Sequence, residues 1–307
     1  MLQTVLATLL HVIVPLMIPV TAGALLARFR GLDTKPLLTL YLYVLSPAII
    51  FDTLQNAEIS STDVAGSIAF ALVNLVVLRY LALGLSKLLR ADAAGAAGLT
   101  LVSTFTNSVN YGLPLVLLAF GQAGLDKASV YVVTQMVIVN TIGIYFAARS
   151  QFSVRGAVKS VFSLPAIYAS VLALLLRGFS LSLPADVARG IAMIADAYSP
   201  VVLTVLGAQI VRIGTPEARS VPPRLFWSGL GMRLVLAPLA SLLVLALLGI
   251  HGTLFQVLFI LASMPVAVNS VVLAERFDAF PAFVSKCIVW TTLASFLLLP
   301  VLITLAG

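Results

Sequence analysis

A neutral side-chain amide can hold a carboxylate without ionising, and an interrupted helix presents backbone N–H groups that can do the same. The stretch TFTNSVNYGLP, residues 104–114, supplies both: Asn107 and Asn110 stand close together, followed by Tyr111, Gly112 and Pro114. A second stretch, SMPVAVNS at 263–270, supplies Ser263, Pro265, Asn269 and Ser270. Each lies inside a long apolar run. A proline within a helix lacks the N–H for one hydrogen bond, and its ring clashes with the carbonyl a turn earlier. Lipid cannot satisfy the polar groups so released, which must be buried in protein or line a cavity. Gly112 and Pro114 are expected to unwind one helix near its middle, and Pro265 to break another. Two such breaks meeting at the bilayer midplane would aim positive half-helix ends into one pocket beside the asparagines. The chemistry of that pocket is anion binding. Plain kinks are the competing reading; two at equivalent places of a repeat, each beside an asparagine, favour the pocket.

The elements that must position these residues follow from composition. Hydrophobic residues make up 61% of the 307-residue chain and charged residues 9%, with a mean hydropathy of +1.13. An ordinary water-facing surface needs about a quarter of its residues charged. The chain is therefore read as an all-α integral membrane protein. A helix needs about 20 apolar residues to cross a bilayer. Such runs cover 3–27, 36–55, 65–89, 94–120, 127–148, 159–177, 190–211, 225–249, 253–274 and 281–305, ten transmembrane helices. The first is not a cleaved leader, because its apolar stretch is too long and its basic residues, Arg28 and Arg30, follow it. A single cysteine, Cys287, leaves no internal disulfide, and His11 and His251 are too isolated for a zinc site. No metal and no cofactor is expected. The net charge of +7 sits at the ends of apolar runs rather than on a patch, which argues against nucleic acid as a partner and reads as topology.

Placing the N-terminus outside puts Arg28, Arg30, Lys35, Lys87, Arg90, Arg149, Arg155, Lys159, Arg212, Arg219, Arg224 and Arg276 on the cytoplasmic side. Only Lys127, Arg177 and Arg189 then fall outside, where Glu58 and Asp63 make one loop acidic. Short loops rich in lysine and arginine stay in the cytoplasm. The expectation is a multi-pass protein of the cell's inner (plasma) membrane with both termini outside the cytoplasm. Landmarks also recur about 150 residues apart: Pro15 with Pro165, Ser46-Pro47 with Ser199-Pro200, Arg79 with Arg233, and Pro114 with Pro265. Residues 1–152 and 153–307 thus read as two repeats of five helices each. Five is odd, so the second repeat enters the membrane from the opposite face. That inverted 5+5 topology is typical of secondary transporters.

Arg79 and Arg233 lie within spans, where an arginine costs at least about 2.5–3.5 kcal/mol on insertion scales. Arg79 stands eleven residues before Arg90, about 16 Å along a helix, too far for its head to reach the interface easily. Each guanidinium either caps carbonyls freed by the broken helix of its own half or compensates a bound carboxylate. Two symmetric arginines exceed what one monocarboxylate needs, which favours the cap. Asp52 and Asp196 are acids within spans, each a proton carrier or an arginine partner. Asp52 reads as an outer-interface residue, so Asp196, just before Ser199-Pro200, is the better candidate. Neither aspartate has the G-x-G-D setting of an intramembrane protease, and both histidines lie near span ends, so an enzyme is not expected.

The run TNSVNYGLPLVLLAFGQAGLDKASVYVVTQMVIVNTIG resembles the fourth and fifth spans of the auxin efflux carrier family, with its N-x-x-x-G-x-P region, the following F-G and a glutamine-bearing span. SPVVLTVLGAQI in the seventh span and the Met-Pro pair in the ninth fit as well. The resemblance implies a fold related to the bile acid sodium symporters, with a scaffold of helices 1, 2, 6 and 7 and an elevator-like transport domain of helices 3–5 and 8–10. It implies that broken helices 4 and 9 cross at Pro114 and Pro265, that Asn110 and Asn269 hold the substrate carboxylate, and that Gln135 faces the site. It also implies a homodimer through the scaffold. Plant members carry an acid and a base on the third span; Asn74 and Arg79 stand there instead, which puts a proton-linked role for that pair in doubt. No Asp or Glu occurs within 93–125 or 252–274, so sodium coupling has less support than proton coupling or facilitated movement. The expected activity is secondary transport of small organic anions, malonate- or malate-like or auxin-like. The alternatives are an anion channel and a sodium-coupled symporter of the bile acid type.

Overall fold

Long runs of Leu, Val, Ala and Ile with scarcely a charge leave the backbone to satisfy its own hydrogen bonds, and the helix does so within one segment. The computed structural model describes residues 2–56, 60–143, 146, 162–212 and 221–306. Its helices are α1 (Gln3–Arg30), α2 (Lys35–Asn56), α3 (Ser61–Leu88), α4 (Ala93–Thr104), α5 (Ser108–Ile138), α6 (Pro165–Gly178), α7 (Ala185–Val211), α8 (Pro223–Leu247), α9 (Gly252–Ala262), α10 (Ser270–Phe277) and α11 (Pro281–Ala306). No strand occurs among the described residues. Seven of these helices are long and apolar enough to cross a bilayer: α1, α2, α3, α5, α7, α8 and α11. The difference from ten has a local cause. The segments expected to be the fourth and ninth spans are each divided, the helix of the expected sixth span, α6, has 14 described residues, and α5 bends at Gly121 (φ 66°, ψ −163°), a conformation open mainly to glycine.

Four prolines here stand behind widened turns rather than open ones. Pro15, Pro47, Pro114 and Pro238 each follow a π-helical turn, at Leu9–Ile13, Tyr41–Leu45, Ser108–Gly112 and Met232–Leu236. In these turns the N–H reaches back five residues, as Val14 does to the Leu9 carbonyl, Ser46 to Tyr41 and Ala237 to Met232. The wider turn takes up the carbonyl that the ring would otherwise strike. Pro114 therefore stands near the beginning of a helix, where its missing N–H costs little. The backbone opens upstream of it, at 105–107, not at Gly112 and Pro114. The second opening, 263–269, does surround Pro265.

The helices pack in two groups. α1 lies along α7, and α2 packs against α6 and α7. In the other group α3 packs on α4, α5 and α8, while α11 packs on α4, α8, α9 and α10. The α1–α7 contact is backbone against backbone: a Cβ on Gly23 would stand 1.9 Å from the Thr204 carbonyl oxygen, and one on Gly207 1.8 Å from that of Val20. Small residues permit this close approach, which gains dispersion contacts that lipid cannot replace. Between the groups, α5 touches α2 and α7, and α11 touches α1. Glu58, Arg149, Arg155, Lys159, Arg219 and the expected repeat boundary at 152/153 lie outside the described residues.

Candidate anion site

Where α4 and α9 end, their chains cross. The Asn107 N–H donates to the Pro265 carbonyl at 2.8 Å, and the Ala267 N–H to the Phe105 carbonyl at 2.9 Å, so Thr106 and Val266 pair as a single antiparallel bridge. Two helix C-termini thus arrive together, each with carbonyls that lack an intrahelical donor. Arg233, 0% exposed, fills that need: its guanidinium donates to the Ser103 carbonyl at 2.9 Å and to the Ala262 carbonyl. One cation offsets the negative ends of both helices. On the far side of the bridge α5 and α10 begin. Their first N–H groups have no intrahelical acceptor, and their dipoles present positive ends. The first two N–H groups of α10, of Ser270 and Val271, already donate to the Ala267 and Val268 carbonyls at 3.0 and 3.2 Å, so the crossover is polarised with its negative ends neutralised and the start of α5 open to a ligand.

A cavity of about 90 Å³ opens beside these helix starts. Thr106, Asn107, Ser108, Asn110, Gln135 and Asn269 line it from the crossover, and Tyr41 and Ser46 of α2 face them. Leu42, Val109, Met136, Val139, Leu164 and Val268 contribute apolar wall. No lining residue among the described residues is charged. Asn107 and Ser46 are 3% and 1% exposed, and neither the Asn107 amide nitrogen nor the Ser46 hydroxyl has a hydrogen-bond partner; the Asn110 amide oxygen also lacks one. Buried polar groups normally find partners. Their vacancy in an enclosed space between two helix groups is the signature of a site built for a polar ligand.

The comparisons with known proteins bear on the same chain. The family model described as membrane transport protein matches residues 4–155 and again 152–303. The chain belongs to this family, the auxin efflux carriers. An uncharacterised transporter of Methanothermobacter thermautotrophicus is 25% identical over 274 residues, 87% of either chain. Another, from Methanocaldococcus jannaschii, is 25% identical over 280 residues, 86% of this chain and 87% of the relative.

In this auxin efflux carrier relative, four of the residues singled out from sequence meet at the cavity: Asn107, Asn110, Gln135 and Asn269. Gln135 is further held by its amide, which donates to the Tyr131 hydroxyl at 2.8 Å. The others do not line the cavity, and five of them, Pro265, Ser263, Ser270, Tyr111 and Pro114, stand around the crossover. Pro265 supplies the carbonyl that receives Asn107, the Ser263 hydroxyl bonds back to the Phe259 carbonyl at 2.7 Å, and Ser270 is buried at the start of α10. Tyr111 is buried with its ring 6.0 Å from that of Phe296, and Pro114 is buried in the same turn region. Asn74 accepts from the Ser241 hydroxyl at 3.1 Å and ties α3 to α8. Asp196 is exposed on α7, does not line the cavity and stands within electrostatic reach of Asp52.

The two arginines do not behave as a symmetric pair. Arg233 caps carbonyls from both halves of the chain, not only from its own. Arg79, half-buried, donates to the Thr100 hydroxyl at 2.5 Å and lies 4.5 Å above the Phe146 ring. Sequence reasoning passed over Tyr41, Ser46, Thr106 and Ser108 as lining residues. Thr106 and Ser108 were in the quoted stretch, and Ser46 stood beside a proline already marked as a repeat landmark, so a signal existed for three of them. Tyr41 had none beyond its place one turn before that proline. Tyr198 of α7 reaches the site indirectly, its hydroxyl donating to the Val109 carbonyl at 2.9 Å and its ring 6.1 Å from that of Tyr41.

Proposed function

We propose that this protein is a secondary transporter of small organic anions, with the substrate carboxylate bound at the crossover cavity. The observation that carries the reading is the polarised crossover: Arg233 neutralises the negative helix ends, while the start of α5 and the unpartnered Asn107 amide nitrogen border a partly open cavity. A carboxylate accepts N–H donors from such an arrangement with no cation in contact. With uncharged walls, a second carboxylate would lose its hydration without compensation. A monocarboxylate with an apolar body therefore fits better than a malonate-like dianion. The absence of carboxylates from the lining gives no support to a bound sodium ion there.

Pairing α4 with the first arm of α5, and α9 with α10, yields ten crossings in two inverted sets of five. Two successive matches to one family model support that symmetry. The cavity lies between the two helix groups, with Tyr41 and Ser46 on one and the crossover on the other, as an elevator needs. Substrate carried by the α3–α5 and α8–α11 group would slide past α1, α2, α6 and α7, which would also hold a homodimer. Plasma-membrane residence with both termini outside belongs to the same reading. The test is counterflow in proteoliposomes with labelled indole-acetate and malonate. Saturable, trans-stimulated accumulation, stronger for the monocarboxylate, is expected. Non-saturating flux with single-channel currents would replace the carrier by a pore.

A further inference from the structure

The chain's two tryptophans, Trp227 and Trp290, stand together, far along the fold from the crossover. They line a second cavity, of about 320 Å³, with Pro223, Phe226 and Lys286, at the end of the bundle where α8 and α11 begin. Both indoles are largely open to the surroundings, 67% and 52% exposed. Phe226 is buried beneath them, its ring 5.3 Å from that of Trp227 and 6.4 Å from that of Trp290. Lys286 lays its ammonium 4.5 Å above the Phe226 ring. The ion pairs among the described residues join Lys127 to Asp63 and Arg189 to Asp186, so Lys286 has no carboxylate partner among the described residues. None of the lining residues among the described residues is acidic.

The same pattern occurs on both helices. Arg224 precedes Trp227 by three residues on α8, and Lys286 precedes Trp290 by four on α11. Those spacings put each cation and its indole on one helix face, the cation a turn nearer the helix start. α8 begins Pro222-Pro223 with no side-chain cap, which leaves its first N–H groups open as well. Beyond the tryptophans the exposed face is apolar: Leu293 and Leu297 continue along α11, and Val235, Leu239 and Leu243 along α8. Charge at the mouth, indoles at the boundary and an apolar track below match the profile of a membrane lipid from headgroup to acyl chain.

We propose that this groove binds an anionic phospholipid, its phosphate held by Lys286 and Arg224 and its acyl chain laid along Leu293 and Leu297. Charge complementarity chooses the occupant: a zwitterionic headgroup would bring a second cation to two unpaired basic side chains, whereas phosphatidylglycerol brings none. Lys286 stays over the aromatic ring when unoccupied because the ring face is its nearest attractive surface.

Because the chain has no other tryptophan, its tryptophan fluorescence, excited selectively over tyrosine, reports on this groove alone. The full-length protein is reconstituted into vesicles in which a fixed minor fraction of lipid carries brominated acyl chains, on phosphatidylglycerol in one sample and phosphatidylcholine in the other. Brominated phosphatidylglycerol is expected to quench as though enriched roughly fivefold near the indoles. Lys286→Gln is expected to bring the two quenching curves together. Equal quenching by both lipids in the unaltered protein would overturn the proposal, and so would a phosphatidylglycerol preference that survives Lys286→Gln.

Discussion

Arg233 and Arg79 occupy corresponding places in the sequence but differ in burial: Arg233 is wholly enclosed, Arg79 half-buried. Arg233 is wholly buried and fixes Ser103 and Ala262 at the ends of two helices. Removing it strands those carbonyls and leaves two negative helix ends facing each other. A hydrogen bond from a charged group contributes about 1.5–3 kcal/mol, so Arg233→Met is expected to lower the apparent melting temperature of the purified protein sharply. Arg79→Met is expected to lower it less, since Arg79 is half-buried and its bonds to Thr100 and Phe146 involve a hydroxyl and a ring. Equal losses would mean that the carbonyl caps carry no special weight. The residue types of the site were legible: Asn107, Asn110, Gln135 and Asn269 could be named because amides and proline do not belong in lipid without cause. The asymmetry of the arginines was not legible, because a carbonyl cap joining residues 130 apart leaves no local trace.

Helices show best how far a local signal reaches. Apolar length located nearly every one of them, but proline position did not locate the breaks. Pro114 and three other prolines were absorbed by π-helical turns, while the opening at 105–107 contains no proline and exists because its backbone pairs with Pro265 and Ala267 across the molecule. The α1–α7 contact has the same character: glycines at 23 and 207 are ordinary in sequence and decisive in space. Gly207→Ala would place a methyl against the Val20 carbonyl, and overpacking of this kind costs about 1–3 kcal/mol or more. A lower melting temperature and loss of the folded species on size exclusion are expected. Gly84→Ala in α3, where nothing stands within 4 Å of the new Cβ, is expected to be neutral or to add about 0.5–1 kcal/mol. Should both variants behave alike, close α1–α7 packing would not be what holds those helices together.

Across the whole molecule, the transport proposed for the cavity between two helix groups would have one group move against the other. Thr8 of α1 and Thr304 of α11 face each other over that boundary, their hydroxyls 3.5 Å apart. A Thr8→Cys, Thr304→Cys pair, once oxidised, is expected to stop counterflow, and reduction to restore it; flux that continues through the cross-link would argue against sliding of the groups. Cys287 is buried and should not interfere. The central claim is narrower than any motion: an anion sits among the unpartnered groups of the crossover. It is tested most directly by calorimetric titration of indole-acetate into the purified protein and into Asn107→Leu. Loss of one donor to a carboxylate predicts roughly ten- to hundredfold weaker binding, with the ligand-free melting temperature unchanged or raised, because the Asn107 amide nitrogen has no partner to lose. Unaltered affinity in a folded Asn107→Leu protein would contradict the account.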